Sequence, residues 1–393
     1  MNTLALESDK ADNVAPRTEV READIDGPPK FRTGERVPCL DGLRALSISM
    51  VVVGHLAGTG HCYSQASLSA LGDIASLGVR VFFVISGFLI TSLLLAEHEK
   101  TGTVSLPQFY FRRTLRIFPP FYALMLVYGI CSVFHLITLA PGDLKYSLAY
   151  LQNYHHDHSW WVAHSWSLSV EEQFYLLWPF AFCIAGRRNA VWVATGVLAA
   201  APLARVAIWY LFPGQVWGTA RWFPAVADAL ASGCVLACVR ETLFQTRVYK
   251  LLLSRTVLVV FVVAVVLITM KDRGRASIFV LESLQNVLIA LIIDGCVTRS
   301  DNVVGRFLNS RLMVTVGVLS YSIYLWQQPF LNRYSSSLIT GFPINLILVG
   351  LFAYVSYTYI EAPSLRCRKR LQEQWRNSGR FRAARIPSHG TPM

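Results

Sequence analysis

Hydrophobic and polar positions along this chain segregate into long blocks. Ten apolar runs stand out, at about 40–58, 74–96, 117–139, 169–186, 190–211, 222–239, 256–270, 276–298, 312–331 and 342–360. Their lengths lie near the roughly 20 residues an α-helix needs to span a bilayer core. The expected fold is all-α, a polytopic membrane helix bundle of about ten transmembrane helices. Residues 1–36 are polar, of mixed charge, with Pro16, Pro28 and Pro29, and they lack the apolar centre of a signal peptide. They predict a disordered cytoplasmic tail. Residues 37–363 are the expected membrane domain, and 364–393 a basic cytoplasmic tail suited to anionic lipid.

Composition agrees with that reading. Of 393 residues 53% are hydrophobic and only 15% charged, with a mean hydropathy of +0.42, whereas soluble domains carry roughly 25% charged residues. A soluble enzyme, a disordered chain and a disulfide-rich secreted domain are thereby excluded. The net charge of +12 would suggest nucleic acid in a soluble protein, but the placement of the charges argues otherwise. With the N-terminus inside, 27 of the 36 Lys and Arg fall on inward connections, six on outward ones and three within runs. That asymmetry is the positive-inside pattern. It predicts both termini in the cytoplasm, a multi-pass protein of the cytoplasmic (inner) membrane, and no nucleic-acid partner. Eight cysteines without a CxxC pair read as small hydrophobes.

Against this apolar background, ionisable groups within runs are candidates for function. Arg44 and His55 lie eleven residues apart in the first run, about three turns, so they share a helix face roughly 16 Å apart in depth. Arg44 also has a plainer reading as a snorkelling anchor paired with Asp41, and His55 one as an interhelical hydrogen bond. In the second run Ser86 and Gly87 allow a helix or a thin ligand chain to approach the backbone. Arg113 and Arg116 stand at i,i+3 before the third run. They either enforce orientation or bind phosphate, to which guanidinium forks are suited.

The outward loop at 140–168 holds His155, His156, His158 and His164 among Trp160, Trp161 and Trp166. No cysteine or clear carboxylate completes a zinc set, so no metal is expected. The stretch from Trp166 to Tyr175 brings Ser, Glu171, Glu172, Gln and Tyr to a membrane boundary, with Glu171 and Tyr175 on one face at i,i+4. Adjacent glutamates diverge by about 100° around a helix, so one is expected to face inward and the other the boundary.

Together these segments resemble the acyltransferase 3 family of integral membrane acyltransferases, which modify surface polysaccharides, peptidoglycan, lipooligosaccharides and some secondary metabolites. The family's basic residue, ten residues, then His falls on Arg44 and His55. Its Arg-x-x-Arg element falls on Arg113 and Arg116, its Phe-Phe-x-x-Ser-Gly-Phe element on Phe82 to Phe88, and its Trp-Ser-Leu-Ser-x-Glu element on Trp166 to Glu171. The resemblance extends from about 38 to 363 and includes Ser320 to Trp326. Many members follow that last segment with His where this chain has Gln327, so no acid-base role is expected there.

The resemblance implies an O-acyltransferase that takes an acyl group, acetyl in the simplest case, from cytoplasmic acyl-CoA. The acceptor is a hydroxyl of a carbohydrate or glycolipid at the outer face, and no resident cofactor is implied. His55, Arg44 and Glu171 are the expected catalytic residues. Arg113, Arg116, Ser86 and Gly87 are expected at the donor, and Trp166, Tyr175 and Tyr324 at the acceptor. His55 acts either as general base or as a transient acyl carrier, with Glu171 holding the imidazole or binding the acceptor. The competing class is a proton-coupled secondary transporter, against which stands the absence of an inverted repeat.

Overall fold

Three of the long helices open on a proline in the first turn, Pro38, Pro107 and Pro224, where the missing N–H breaks no hydrogen bond. The structure, a computed structural model, describes residues 37–59, 68–212, 220–270 and 280–377. The expected tail at 1–36 and the last part of the basic tail, 378–393, lie outside the described residues. The principal helices are α1 (Pro38–Leu56), α2 (Leu68–Thr101), α3 (Leu106–Val133), α4 (Ser165–Leu211) and α5 (Phe223–Leu243). They are followed by α6 (Arg255–Met270), α7 (Glu282–Thr298), α8 (Arg311–Phe330), α9 (Ile344–Ser356) and α10 (Ala362–Asn377). No strand occurs among the described residues, as a backbone in lipid requires when it must satisfy its own polar groups.

By length and composition six helical stretches can cross a membrane: Pro38–Leu56, Leu71–Thr101, Leu106–Val133, Trp160–Leu211, Phe223–Leu243 and Ile344–Gln374. The ten apolar runs differ from these six for three physical reasons. Two runs fall in α4, which is broken at Gly186, where φ is 73° and ψ 165°. α6 and α7 have only 16 and 17 residues. α8 buries Ser320, Ser322, Gln327 and Gln328, so its polar content lowers its hydropathy.

α1 and α2 pack together at the centre, α5 lies against both α2 and α4, and α8 packs on α1 with α9 behind it. α2 and α5 approach closely because both are glycine at the crossing. A Cβ at Gly87 would overlap the carbonyl oxygen of Leu230, and one at Gly233 that of Val84. The outer surface is apolar, with Leu126, Ile130 and Val133 of α3 and Val259, Val263 and Leu267 of α6 exposed. In water such a surface would aggregate; in a bilayer it faces lipid. Beyond α9 the chain continues through a π-helical turn, Tyr357–Glu361, into α10. The boundary expected at 363 therefore lies inside a continuous helical run, and the π geometry accommodates Pro363, which has no N–H to give the preceding turn. The described cysteines are free thiols.

Several charges buried between the helices are paired. Arg205 Nη1 donates to Asp228 Oδ2 at 2.9 Å and to the Ala225 carbonyl at 2.7 Å, and Nη2 to Ser283 Oγ at 2.6 Å. Arg80 Nη2 donates to Glu282 Oε2 at 2.6 Å, so α2, α4, α5 and α7 meet in one polar network. Arg240 is likewise bonded to Asp294, which also accepts from Tyr249. Removing one partner of a buried pair strands the other charge, a loss of about 3–5 kcal/mol. Asp228→Ala is accordingly expected to lower the melting temperature of the detergent-solubilised protein, followed by tryptophan fluorescence. An unchanged melting temperature would show that the network contributes no net stability.

Candidate active site

α1 carries the basic and imidazole groups at different depths, and each opens into its own cavity. The first cavity, ≈ 90 Å³, is lined by Arg44, Arg113, Arg116, Glu171, Glu172 and Tyr175, with Ser86 and Tyr321 among its other walls. Arg44 Nη1 is bonded to Asp41 Oδ1 at 3.1 Å, so the anchor pairing and the cavity position hold together. The Arg113 guanidinium lies 4.5 Å from the centroid of the Tyr175 ring. Glu171 accepts from Ser86 Oγ at 2.8 Å, while Tyr175 donates to the Ser86 hydroxyl at 3.1 Å. Three guanidinium groups converging on one space are a donor set for phosphate oxygens.

The second cavity is larger, ≈ 380 Å³, and is lined by His55, His164, Trp160, Trp166, Arg221 and Arg333, together with Arg80, Glu282 and Tyr334. His55 Nδ1 lies 3.2 Å from Gln327 Oε1. An amide oxygen only accepts, so in the neutral imidazole this contact places the proton on Nδ1 and leaves the lone pair on Nε2. The imidazole meets the Trp160 ring edge-on, at 5.8 Å between centroids. Val79, Phe83 and Tyr324 border both cavities. Tyr324 is held at this divide by donating to the His164 carbonyl at 2.9 Å and by a 2.6 Å contact with the Ser167 hydroxyl.

The structure thus brings together Arg44, Arg113, Arg116, Ser86 and Glu171, and separates them from His55. Glu171 stands with Ser86 and Tyr175, and the imidazole is met instead by Gln327, to which no acid-base role was expected. Tyr175, expected at the acceptor, lines the first cavity with Arg113, whereas Trp166 lines the second and Tyr324 both. Gly87 does not border either cavity among their lining residues; it serves the crossing of α2 and α5. Both glutamates, Glu171 and Glu172, line the first cavity, because that space spreads around the face of α4 rather than meeting it along one line.

His164 is a residue to which sequence reasoning gave no role. It belongs to a histidine-rich loop by sequence, yet its imidazole is buried against Tyr324 with neither ring nitrogen hydrogen-bonded, facing the cavity that holds His55. The loop histidines are engaged separately: His155 stacks on Tyr146 and lies 3.3 Å from Asp143. His158 Nε2 is 3.2 Å from Arg221 Nη1. Burial, with the nearby Arg221 charge, holds the His158 imidazole below its ordinary pKa, leaving it neutral and able to accept from that guanidinium. Among the described residues no group of three His, Cys, Asp or Glu side chains could hold a metal ion.

Comparison with known proteins bears on the same segments. The chain is 27% identical over 368 residues to the peptidoglycan O-acetyltransferase OatA of Listeria monocytogenes, an alignment covering 83% of this chain and 55% of that protein. It is 26% identical to the O-acetyltransferase OatA of Staphylococcus aureus, covering 85% of this chain and 58% of that one. A putative O-acetyltransferase of Staphylococcus aureus is similar to the same extent, 26% identical with 85% and 58% covered. The chain therefore spans little more than half the length of these curated relatives. No solved structure matches it. The family model described as an acyltransferase domain matches residues 37–360, a range that contains every residue lining the two cavities, and the chain belongs to the acyltransferase 3 family.

Proposed function

We propose that this protein is an integral membrane O-acyltransferase. It moves an acyl group, acetyl in the simplest case, from cytoplasmic acyl-CoA to a hydroxyl of a carbohydrate or glycolipid at the outer face. The observation that carries this reading is the pair of cavities strung along α1, one lined by Arg44, Arg113 and Arg116 and one by His55, that meet at Val79, Phe83 and Tyr324. CoA is too polar to cross lipid, so its phosphates stay at Arg44, Arg113 and Arg116. Its pantetheine arm extends past Phe83 and Tyr324 and presents the thioester to His55. An acceptor hydroxyl in the outer cavity gives its proton to His55 Nε2 as its oxygen attacks the thioester carbonyl. The C–S bond breaks, and the imidazolium returns the proton to the departing thiolate. Gln327 holds the imidazole in the tautomer this requires.

Topology fits the same scheme. An even number of crossings leaves both termini on one side, and the basic residues of the connections make that side the cytoplasm of the cytoplasmic (inner) membrane. The inward connections meet at one end of the bundle, where Arg187 pairs with Glu99 at 2.7 Å and Arg112 with Glu97 at 2.9 Å. At the other end, Trp160, Trp166 and Tyr334 around the outer cavity offer aromatic faces on which a sugar ring stacks. A relative whose name assigns it peptidoglycan makes a cell-wall polysaccharide the first acceptor to try.

Purified protein in lipid nanodiscs, given labelled acetyl-CoA and cell-wall glycan fragments, is expected to release CoA and label the glycan. A proton-coupled carrier would do neither. Intact thioester and unlabelled glycan, from a sample that still binds acetyl-CoA, would overturn the transferase reading.

A further inference from the structure

We propose that the outer cavity selects a negatively charged acceptor, one with a carboxylate or phosphate on the acylated sugar or its neighbour, and that Arg333 holds that charge. The inference rests on the transferase reading and adds the chemical class of its acceptor. Among the described residues lining this cavity stand three guanidinium groups, Arg80, Arg221 and Arg333, against one carboxylate, Glu282. That carboxylate is bonded to Arg80 and forms no ion pair with Arg333.

Arg333 is a guanidinium without a protein counter-charge among the described residues. Its Nη2 reaches only the Gly54 carbonyl, at a long 3.4 Å, and its buried Nε has no hydrogen-bond partner. Among the described residues no carboxylate pairs with it. Desolvating a guanidinium without a counter-charge is unfavourable, and a planar fork with unused N–H groups matches the oxygens of a carboxylate or a phosphate. The group is also in the right place. Arg333 lies over the Trp160 ring at 5.2 Å, the same ring meets His55 edge-on, and Gly54 directly precedes His55. An anion on Arg333 therefore seats the sugar that bears it beside the imidazole, whereas a neutral glycan leaves the guanidinium unanswered.

The test compares three oligosaccharides of equal length, one with a uronic acid, one with a sugar phosphate and one neutral, as acceptors for the protein in nanodiscs with labelled acetyl-CoA. At least one charged acceptor is expected to have a lower KM than the neutral one, and which of the two does so identifies carboxylate or phosphate. Arg333→Gln should raise that KM about tenfold or more while leaving the constants for the neutral glycan and for acetyl-CoA nearly unchanged, and Arg333→Lys should restore part of the loss. Equal wild-type KM values for charged and neutral glycans, or an equal loss on all acceptors in Arg333→Gln, would overturn the proposal while transfer itself stands. Binding of the charged glycan without donor, read by tryptophan fluorescence, needs no turnover. Arg333-dependent binding without any transfer would leave the anion site standing and sink the transferase reading instead.

Discussion

His55→Gln is expected to abolish acyl transfer while leaving protein level and membrane insertion intact. The substitution is chosen to separate chemistry from packing. Glutamine keeps a polar group of similar reach on α1, beside Trp160 and Gln327, and adds no charge to the bundle. What it removes is the imidazole nitrogen lone pair that takes the proton of the acceptor hydroxyl in the proposed step. General-base catalysis contributes typically 10²–10⁴-fold, and a transient acyl carrier would be lost altogether, so either role predicts turnover near background in the labelled acetyl-CoA assay. Binding of acetyl-CoA should be retained, because Arg44, Arg113 and Arg116 line the other cavity. Near-normal acylation of the glycan by this variant would exclude both roles of His55 and turn attention to His164, the other imidazole in that space.

The second large effect concerns the donor end. Replacing both Arg113 and Arg116 with Lys keeps the charge that orients the third helix but removes the planar fork. It also removes the guanidinium that lies over the Tyr175 ring. Hydrogen bonds to charged groups are worth about 1.5–3 kcal/mol each, so partial loss should raise the KM for acyl-CoA at least several-fold, with topology unchanged by reporter fusions. The acceptor constant should move much less, since the cavity proposed for the acceptor is the other one, lined by His55 and Trp166. Unaltered donor kinetics would reduce the pair to topological anchors and leave Arg44 as the phosphate-binding cation.

The all-helical membrane fold was legible from the chain because lipid imposes a one-dimensional rule: each crossing needs its own apolar run and satisfies its own backbone. For the same reason the membership of the two cavities was half legible. Arg44 and His55 lie on one helix, so their common face and separation in depth follow from helical rise alone, as does the pairing of Arg113 with Arg116. Their partners on other helices do not follow. Gln327 is 272 residues from His55, and nothing in either local sequence says that α8 turns that amide towards α1.

Residues read as a local group were separated in the same way. Trp166 and Tyr175 sit nine positions apart near the start of α4, yet the first lines the outer cavity and the second the inner, because Phe83 and Tyr324 come between them from α2 and α8. His164 looked like a member of a polar loop, but it directly precedes α4 and is buried against Tyr324. Arg333, in a short Ser-rich connection, carried no motif at all. Sequence by itself determined the class of fold and the residues with chemistry to offer, since both depend on local composition and helical geometry. Only the tertiary structure decided which cavity each residue serves, because that depends on how separate helices pack and on which buried polar groups find a partner and which do not.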